Sequence, residues 1–447
     1  MRITEKKVTS FLIVAMMTFS SLVVIQFSGR TMFLFMQIAF FIWMAVYQKK
    51  LRIFNFALPN LIMISLLCAL FSAFFSDIPF SYKKAAAFMT MYEIPLFFSC
   101  CYINHEMNRS SDIILKVLMG IRITTLLQLF WIPLQFVAYH VMHIDLNDLF
   151  FHRLFHFMEH PSFIRSWIYY PSGFTWHSAV IAPLLILAFV LFKETWVRLL
   201  IIVDAAICGS STALIGVFCC IGILMLFRFF DYIRSKQYVN FKKVLLAIAC
   251  IAAVLFVAYC LGILDSFIER GLYLISRFTG DTQDASTKTH LGYYSDYWKI
   301  LKTSSPFQVI FGYGYGCSGY PISKMYGLYA NHSNWAVECD IVNILISRGI
   351  FGFIVYYLFL AYIFFAGFKV DRRYLAFIVP VMIEGFGYNV QWSYIYMIEL
   401  LMFCAIKRRI SIFDYADQKH IHITRDISAF SGLSGLIGNL ERVKKER

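Results

Sequence analysis

One segment of the chain combines residue types that can move a proton. Glycine occupies every second position of 312–316, and an isolated histidine, His332, follows it. Glycine lets a backbone turn tightly and approach a ligand closely. Histidine titrates near neutral pH, which makes His332 the candidate general base. Two carboxylates further on, Glu338 and Asp340, are candidates to orient its imidazole or to bind hydroxyl groups of a ligand; otherwise they simply face water.

A second group of histidines lies upstream. His152, His156 and His160 repeat every four residues, so a helix would place them on one face, with Glu159 nearby. Such a face could bind a metal ion. The residues among them are apolar: Phe151, Leu154, Phe155 and Phe157. This pattern favours an amphipathic helix at a membrane surface, and we predict no metal site.

Composition indicates which kind of fold must hold these residues. Of the 447 residues 60% are hydrophobic and 15% are charged, and the mean hydropathy is +0.67. Soluble domains are about 45–50% apolar and about 25% charged, so a soluble multidomain enzyme is excluded. The formal charge of +14 does not indicate nucleic-acid binding, because the basic residues form no single polar domain. The 11 cysteines lie mostly inside apolar runs, which excludes a secreted disulfide scaffold. A polytopic α-helical membrane protein remains.

Long apolar runs become helices in lipid, because every backbone polar group needs a partner within its own segment. Runs close to the length of a membrane span predict an all-α fold with about twelve transmembrane helices. The predicted spans are 10–27, 31–48, 55–76, 85–103, 113–139, 178–194, 196–209, 210–230, 243–264, 340–368, 373–388 and 391–406.

Basic clusters predict how these spans are oriented. Lysine and arginine accumulate on the cytoplasmic side of membrane proteins, and the N terminus is basic. Alternation from a cytoplasmic N terminus places four further basic clusters inside: 49–52, 228–243, 369–373 and 407–409. The pair Lys83-Lys84 is the exception. Both termini are therefore predicted to be cytoplasmic.

Two long non-helical loops are predicted to face outwards. Such loops are usually functional or disordered, and their content of Tyr, Trp, Phe and Gly argues against disorder. The predicted organisation is N-terminal membrane helices in 1–139, a first outer loop in 140–177, central membrane helices in 178–264, a second outer loop carrying the site in 265–339, C-terminal membrane helices in 340–406, and a cytoplasmic tail in 407–447.

The order of several short motifs resembles a known family. The glycine-rich run of 312–316, the Asn331-His332 pair and the sequence Gly-Ile-Phe-Gly of 349–352 are, in this order, similar to the C-terminal half of the O-antigen ligase and polymerase superfamily. The stretches 170–177 and 208–213 fit the same pattern. The resemblance covers residues 165–355 by motif and the whole chain by span layout.

The resemblance implies a glycosyltransferase of the bacterial inner membrane with a periplasmic active site. The family uses a glycan on an undecaprenyl diphosphate carrier and needs neither a metal nor another cofactor. In ligases the acceptor is the lipid A core, and in polymerases it is a second carrier-linked repeat unit. The acidic run Glu338-Cys339-Asp340 with Asn343 favours a polymerase. The expected partners are the two carrier-linked oligosaccharides, the bilayer and a chain-length regulator protein, but no nucleic acid.

Displacing a diphosphate also needs cations on the leaving group. Arginine is always charged and bonds phosphate bidentately, so Arg165, Arg277 and Arg348 are the candidate clamps, with Lys288 and His290 in reserve. Alternatively, Arg165 and Arg277 do not bind substrate, and their charged ends simply extend to the membrane–water interface. Arg348 lies within a predicted span and could instead be structural, paired with Asp340 or Glu384.

Other features of the second outer loop bear on this assignment. Tyr313 and Tyr315 are candidates to stack on sugar rings, and Cys317 and Cys339 are candidates for a disulfide. Ligases carry an arginine shortly before the tryptophan matched to Trp298, whereas this chain has tyrosines there. That departure leaves open which cationic side chain would bind the leaving diphosphate.

Two hypotheses from other functional classes compete with the glycosyltransferase hypothesis. A secondary transporter or a flippase for lipid-linked sugars would need polar groups across both leaflets. Glu93, Asp204 and Glu384 lie in apolar runs and would suit it. A non-catalytic scaffold would tolerate loss of His332.

Overall fold

The computed structural model describes residues 3–27, 30–49, 51–76, 78, 81–107, 112–157, 171–175, 178–208, 211–235, 285–327, 337–386 and 393–418. Helices make up about 81% of these residues, so the predicted all-α class is confirmed. The described strands are β1 (Gln26–Phe27) and β2 (Arg30–Thr31), which pair antiparallel with Gln26 opposite Thr31.

The helices follow the apolar runs of the sequence. The N-terminal ones are α1 (Ile3–Phe19), α2 (Met32–Ile42, extended by a π-helical turn, Trp43–Tyr47), α3 (Ala57–Phe74), α4 (Ser81–Phe88), a π-helical turn (Met89–Glu93), α5 (Ile94–Met107) and α6 (Asp112–Met142). The central ones are a π-helix (Asp148–Leu154), a 3₁₀ turn (Ser178–Ile181), α7 (Ala182–Leu191), α8 (Thr195–Ile207) and α9 (Ser211–Ser235).

The C-terminal half contributes seven more described helices. These are α10 (Ala285–Thr303), α11 (Pro306–Phe311), α12 (Gly319–Met325), α13 (Asp340–Val370), α14 (Arg373–Gly385), α15 (Ser393–Lys407) and α16 (Ile412–Gln418).

Five helical stretches in the described part of the chain are long and apolar enough to cross a membrane. They are Ala57–Phe74, Ser81–Met107, Asp112–Met142, Ala213–Tyr232 and Asp340–Val370. Among the other predicted spans, α7 is only 10 residues long and α8 only 13, and 243–264 lies outside the described residues. The helices support a membrane-embedded protein, while the count of about twelve spans stays a prediction.

Helix α13 lies at the centre of the packing around the candidate site. It contacts α3, α11, α14 and α15, and α14 in turn packs on α7 and α9. The N-terminal helices form the neighbouring part of the bundle through the pairs α1–α6, α1–α2 and α2–α5.

The end of the bundle where α13 meets α14 carries ion pairs. Arg372 contacts Asp231 at 2.5 Å, and Arg373 pairs with Asp371 at 2.7 Å and also with Asp414. Burial favours the neutral form of the Asp371 carboxyl, but hydrogen bonds from Arg373 and Ser411 outweigh burial and lower the pKa of Asp371.

The two segments predicted as non-helical loops contain helices where they are described. In 265–339 these are α10, α11 and α12. Helix α11 begins with a capping box, in which the Ser305 hydroxyl accepts from the Gln308 backbone and the Gln308 side chain accepts from the Ser305 backbone. For α11, this local capping stabilises a helix that has no long apolar run to mark it in the sequence.

The histidine spacing in the first outer segment does not produce one helical face. The π-helix ends at Leu154, and His156 has a φ of 51°, so the helical course stops between His152 and His156. His152 contacts Asp148 at 2.9 Å, and Arg153 contacts the same carboxylate at 2.6 Å. His160 lies outside the described residues. Among the residues that the structure describes, no group of three metal-ligating side chains forms.

Candidate functional site

The structure places only part of the predicted site. His332, Arg165 and Arg277 lie outside the described residues. Lys288 and His290 belong to α10, whose first turns are described by backbone alone. Of the remaining predicted site residues, Tyr313 and Tyr315 belong to the glycine turn, which we define as residues 312–316. Glu338, Asp340 and Arg348 lie just before or within α13.

The glycine turn needs its glycines for conformation and for space. Gly312, Gly314 and Gly316 have φ values of 81°, 112° and 72°, a region that side chains other than glycine rarely adopt. A Cβ atom on Gly312 would lie 2.5 Å from the Arg348 nitrogen, and one on Gly316 would lie 2.7 Å from the Phe88 ring. The turn is therefore pressed into the bundle, whereas the sequence predicted a turn in an exposed loop.

Helix α13 is broken at the point where the turn reaches it. Gly349 has φ 66° and ψ −172° within the helix. The backbone N–H of Tyr313 donates to the Ile346 carbonyl at 2.8 Å, and that of Gly314 donates to the Ser347 carbonyl at 3.0 Å. A helix end leaves its last carbonyls without intrahelical partners. The glycine turn supplies those partners at the break.

Serine side chains on two neighbouring helices fix the other side of the turn. The Ser72 hydroxyl of α3 donates to the Gly312 carbonyl at 2.5 Å, and the Ser81 hydroxyl of α4 donates to the Tyr313 carbonyl at 2.5 Å. The Cys317 thiol donates to the Ser81 carbonyl at 3.2 Å. Sequence reasoning did not identify these serines, because neither lies near a motif.

Arg348 is buried at the break, with 4% of its surface exposed. Its guanidinium lies 4.9 Å from the ring centre of Tyr315 and 5.9 Å from that of Tyr356. Two acids on other helices, Glu93 and Glu399, interact with its charge. The described contacts therefore connect Arg348 to the interior of the bundle.

The two glutamates reach Arg348 beside the same tyrosines. Glu93 ends the π-helical turn before α5 and interacts with the Tyr315 side chain as well as with Arg348. The Tyr356 hydroxyl lies 3.1 Å and 3.3 Å from the two carboxylate oxygens of Glu399. Both acids are almost fully buried, at 2% and 0% exposure. The sequence signal for Glu399 is the one that marked Glu93, a carboxylate within an apolar run.

The two predicted catalytic acids have different surroundings. Glu338 is exposed, whereas Asp340 is 3% exposed at the start of α13. A Cβ atom on Gly385 would lie 3.1 Å from an Asp340 carboxylate oxygen, and Glu384 interacts electrostatically with Asp340. Both Glu384 carboxylate oxygens are buried and have no hydrogen-bond partner among the described residues.

Ser318 anchors the segment that carries His332. The Ser318 hydroxyl donates to the Asn343 side chain at 2.6 Å and accepts from the Val337 backbone at 3.0 Å. Residues 328–336, which include His332, lie outside the described residues. The first described residue after them, Val337, is linked through Ser318 to Asn343 of α13.

Helix α10 adds polar groups beside this anchor. Tyr326 donates to the Asp296 carboxylate at 2.7 Å, and Lys299 contacts the same oxygen at 3.1 Å. Burial, together with the charges of Glu338 and Asp296, raises the pKa of Tyr293 to about 12. Tyr293 therefore carries no charge at physiological pH.

The remaining candidate residues are buried and make their contacts within the protein. Tyr313 is 7% exposed, and its hydroxyl lies 2.8 Å from that of Ser304. Cys317 and Cys339 are buried free thiols, so the candidate disulfide does not form. The Cys339 thiol instead donates to the Tyr294 hydroxyl at 3.2 Å.

The motif upstream of α7 is also docked into the bundle. Of 170–177, residues 171–175 are described, and Gly173 has a φ of 63°. Its N–H donates to the Gln135 side chain at 2.8 Å, and the next N–H donates to Gln128 at 2.7 Å. The Asn147 amide donates to the Gly173 carbonyl at 2.8 Å. Both motifs that contain glycine turns are thus held by polar side chains within apolar helices.

In comparisons with known proteins, no protein-family model matches the chain, and no curated protein sequence is significantly similar to it.

Proposed function

We propose that this protein is an integral-membrane glycosyltransferase that joins undecaprenyl-diphosphate-linked oligosaccharide repeat units. In the proposed reaction a hydroxyl of the acceptor unit attacks the anomeric carbon of the donor, and the diphosphate carrier leaves. The proposal includes about twelve spans, cytoplasmic termini and an active site at the periplasmic face of the bacterial inner membrane.

The observation that carries the proposal is the docking of the glycine turn against the break in α13. The residue after the turn and its cysteine, Ser318, bonds Asn343 of α13 and the Val337 backbone, where the chain returns after His332. Asp340 is buried at the start of the same helix. A transfer between two lipid-linked sugars needs a fixed set of reactive groups at one face of the membrane. The arrangement around α13 supports such a face.

Each proposed role follows from chemistry. His332 takes the proton of the acceptor hydroxyl, and Asp340 orients it from the buried start of α13. The exposed Glu338 binds sugar hydroxyls. Arg165 and Arg277 hold the diphosphate, with Lys288 and His290 of α10 in reserve. The transfer uses no metal ion and no other cofactor.

The described contacts of Arg348, Tyr313 and Tyr315 favour support of the site over direct substrate contact. All three pack inside the bundle, and Arg348 is only 4% exposed. A group that binds a diphosphate must exchange its protein partners for the ligand, which is costly for a charge at this depth. We therefore retain Arg165 and Arg277 as the proposed clamps.

The test is incubation of the purified protein in liposomes with a single defined diphosphate-lipid repeat unit. A ladder of products spaced by one repeat supports the polymerase, and His332→Ala, inserted to the same level, should give none. Product that forms only after lipid A core is added supports a ligase. If no product forms under either condition, the proposed enzymatic function is wrong.

Asp204 and Glu384 favour one alternative, a secondary transporter or a flippase for lipid-linked sugars. All four of their carboxylate oxygens are buried and have no hydrogen-bond partner in the described regions. Unpaired acids inside a membrane bundle are typical of proton-coupled transport. In that case Asp204→Asn and Glu384→Gln should abolish transport into liposomes, while the transferase tolerates Asp204→Asn.

A further inference from the structure

Two neighbouring lysines lie close to the glycine turn without a charged partner. Lys83 is exposed and Lys84 is partly buried, and both belong to the first turn of α4. Within the described part of the chain neither side chain forms an ion pair or a hydrogen bond. The pair is also the exception to the predicted cytoplasmic placement of the basic clusters. Two positive charges that the described protein does not neutralise favour an anion as their partner.

Aromatic rings hold Lys84 in place. Its ammonium nitrogen lies 5.2 Å from the ring centre of Tyr320 and 6.0 Å from that of Phe88. Attraction to a ring face offsets only part of the cost of removing an ammonium group from water. Lys299, which also lies over a tyrosine ring, pairs in addition with Asp296 at 3.1 Å. Lys84 has the ring contacts without a carboxylate, so its three N–H donors stay available to a ligand.

The start of α4 is fixed against the glycine turn. The Ser81 hydroxyl, three residues before Lys84, donates to the Tyr313 carbonyl at 2.5 Å. A Cβ atom on Gly314 would lie 3.0 Å from the side chain of Ala85, the residue that follows Lys84. An anion bound to the lysines would therefore lie at the end of the bundle where the glycine turn docks.

Exposed aromatic side chains adjoin the lysines on the outside of the bundle. We define this aromatic surface as Phe71, Phe74, Phe75 and Tyr82, which are between 43% and 61% exposed. The ring centres of Phe74 and Tyr82 are 5.2 Å apart, and those of Phe71 and Phe75 are 5.0 Å apart. Tyr82 directly precedes Lys83 in the sequence. In a membrane such a surface contacts hydrocarbon chains.

The two features together select a ligand that combines a long apolar chain with more than one negative charge. A lipid diphosphate has both. A zwitterionic phospholipid has no net charge, and an anionic phospholipid such as phosphatidylglycerol has a single negative charge, which leaves one lysine unmatched. Lysine is suited to phosphate as a compact point charge.

We propose that Lys83 and Lys84, together with the aromatic surface, dock the diphosphate of a polyprenyl carrier lipid beside the start of α4. The identity of the carrier rests on the proposed function, whereas the site itself rests on the unpaired charges and the exposed rings. A transfer between two carriers needs two diphosphate sites, and Arg165 and Arg277 are proposed for the leaving diphosphate.

Binding of undecaprenyl diphosphate to the full-length protein in detergent, titrated by native mass spectrometry, tests the site without any reaction. Lys84→Met removes the charge and keeps most of the apolar stem that packs on the rings. It should weaken binding about tenfold, and Lys83→Met in the same chain should weaken it about tenfold again. Lys84→Arg keeps the charge and should stay within about threefold of wild type.

Lys116→Met is the matched control. Lys116 is also a partly buried lysine near the start of a helix, but it lies on α6 at the predicted cytoplasmic end. This variant should bind the carrier as wild type does. Phosphatidylglycerol and inorganic pyrophosphate are the competing probes, because the first has one charge and the second has no chain. Each should displace the carrier at least about tenfold less effectively than the carrier displaces itself.

Amine acetylation of the wild-type protein gives a second measurement that needs no variant to fold. With the carrier at about ten times its dissociation constant, modification of Lys83 and Lys84 should slow about tenfold, because only unbound protein reacts. Lys116 is the internal reference and should react at an unchanged rate.

Three results would overturn the inference: wild-type binding by Lys84→Met, equal competition by phosphatidylglycerol, or no protection of Lys83 and Lys84 by the carrier. Binding needs no second substrate, so normal binding without a product ladder rejects the proposed function alone. Conversely, a product ladder with the wild-type KM in Lys84→Met rejects the docking site and leaves the proposed function intact.

Discussion

The backbones of Gly312 and Gly349 meet with no side chain between them, since a Cβ atom on Gly349 would lie 2.6 Å from the Gly312 nitrogen. The same atom would lie 2.3 Å from the Ile310 carbonyl oxygen. Both glycines have positive φ. The turn and the break in α13 are therefore one structural unit, in which each requires the other.

Gly349→Ala should lower the free energy of unfolding by about 2–4 kcal/mol, from backbone strain and overpacking together. Gly312→Ala should have a similar effect. The matched control is Gly222→Ala in α9, where an added Cβ meets nothing within 4 Å. That change should stabilise the helix by about 0.5–1 kcal/mol. Denaturant titration of all three variants in the same detergent checks the ranking, and a neutral Gly349→Ala would contradict it.

The Ser72 hydroxyl should contribute measurably, because it satisfies a buried carbonyl of the turn. Ser72→Ala leaves the Gly312 carbonyl without its donor and should cost about 1–3 kcal/mol. Thr90→Ala is the control, since that exposed hydroxyl bonds only within its own helix, to Ala86 at 2.8 Å. It should change stability by less than about 0.5 kcal/mol. Equal melting temperatures for the two variants would argue against a structural role for Ser72.

The sequence predicts long apolar helices such as α13 well, but it predicts neither their interruptions nor the helices α10, α11 and α12 of the second outer segment. The run 340–368 predicts α13 within two residues of its observed end, because apolar length alone decides a span. The break at Gly349 is not predicted, because a glycine within a helix is usually tolerated. The break coincides with the close approach of Ile310 and Gly312 from another part of the chain, which local sequence does not reveal.

For the candidate site too, the sequence indicates which residues matter but not which residues they contact in the fold. Residue types identified Asp340 and Arg348 as chemically important, and both prove to be buried, Arg348 beside the turn and Asp340 at the start of α13. Their partners could not be read from spacing, because Glu93 and Glu399 come from distant helices. His332, Arg165 and Arg277 lie outside the described residues, so the proposed transfer reaction stays a prediction.

The ion pairs between α13 and α14 should make stability depend on pH in one direction. The folded pKa of Asp371 is lowered, so its contribution is present above the unfolded value of about 3.9 and is lost as pH falls through the folded value. Asp371→Asn should destabilise the protein by about 1–3 kcal/mol at pH 7, from lost charge-assisted hydrogen bonds.

The destabilisation by Asp371→Asn should begin to shrink below the unfolded value of about 3.9 and should disappear only below the lowered folded pKa, where the native carboxyl is protonated as well. Asp231→Asn is the control, because its pair with Arg372 is solvent-exposed and worth about 0–1 kcal/mol. Thermal unfolding of wild type and both variants at neutral pH and at a series of acidic values below about 3.9 gives the comparison. A difference for Asp371→Asn that persists at low pH would mean that packing, not charge, is responsible.

The contrast between Glu338 and Asp340 offers the sharpest test of the proposed chemistry, because the two acids are neighbours in sequence but not in environment. Asp340 is buried where the segment with His332 rejoins α13, so Asp340→Asn should lower kcat by about 10²-fold or more, as loss of support for a general base does. Glu338 is exposed, and Glu338→Gln should act mainly on KM, by less than about tenfold. His332→Ala combined with Asp340→Asn should be no slower than His332→Ala alone, since an orienting group has no effect once its base is gone. If the two changes multiply instead, Asp340 acts on the substrate without His332, and the assignment of the base must be given up.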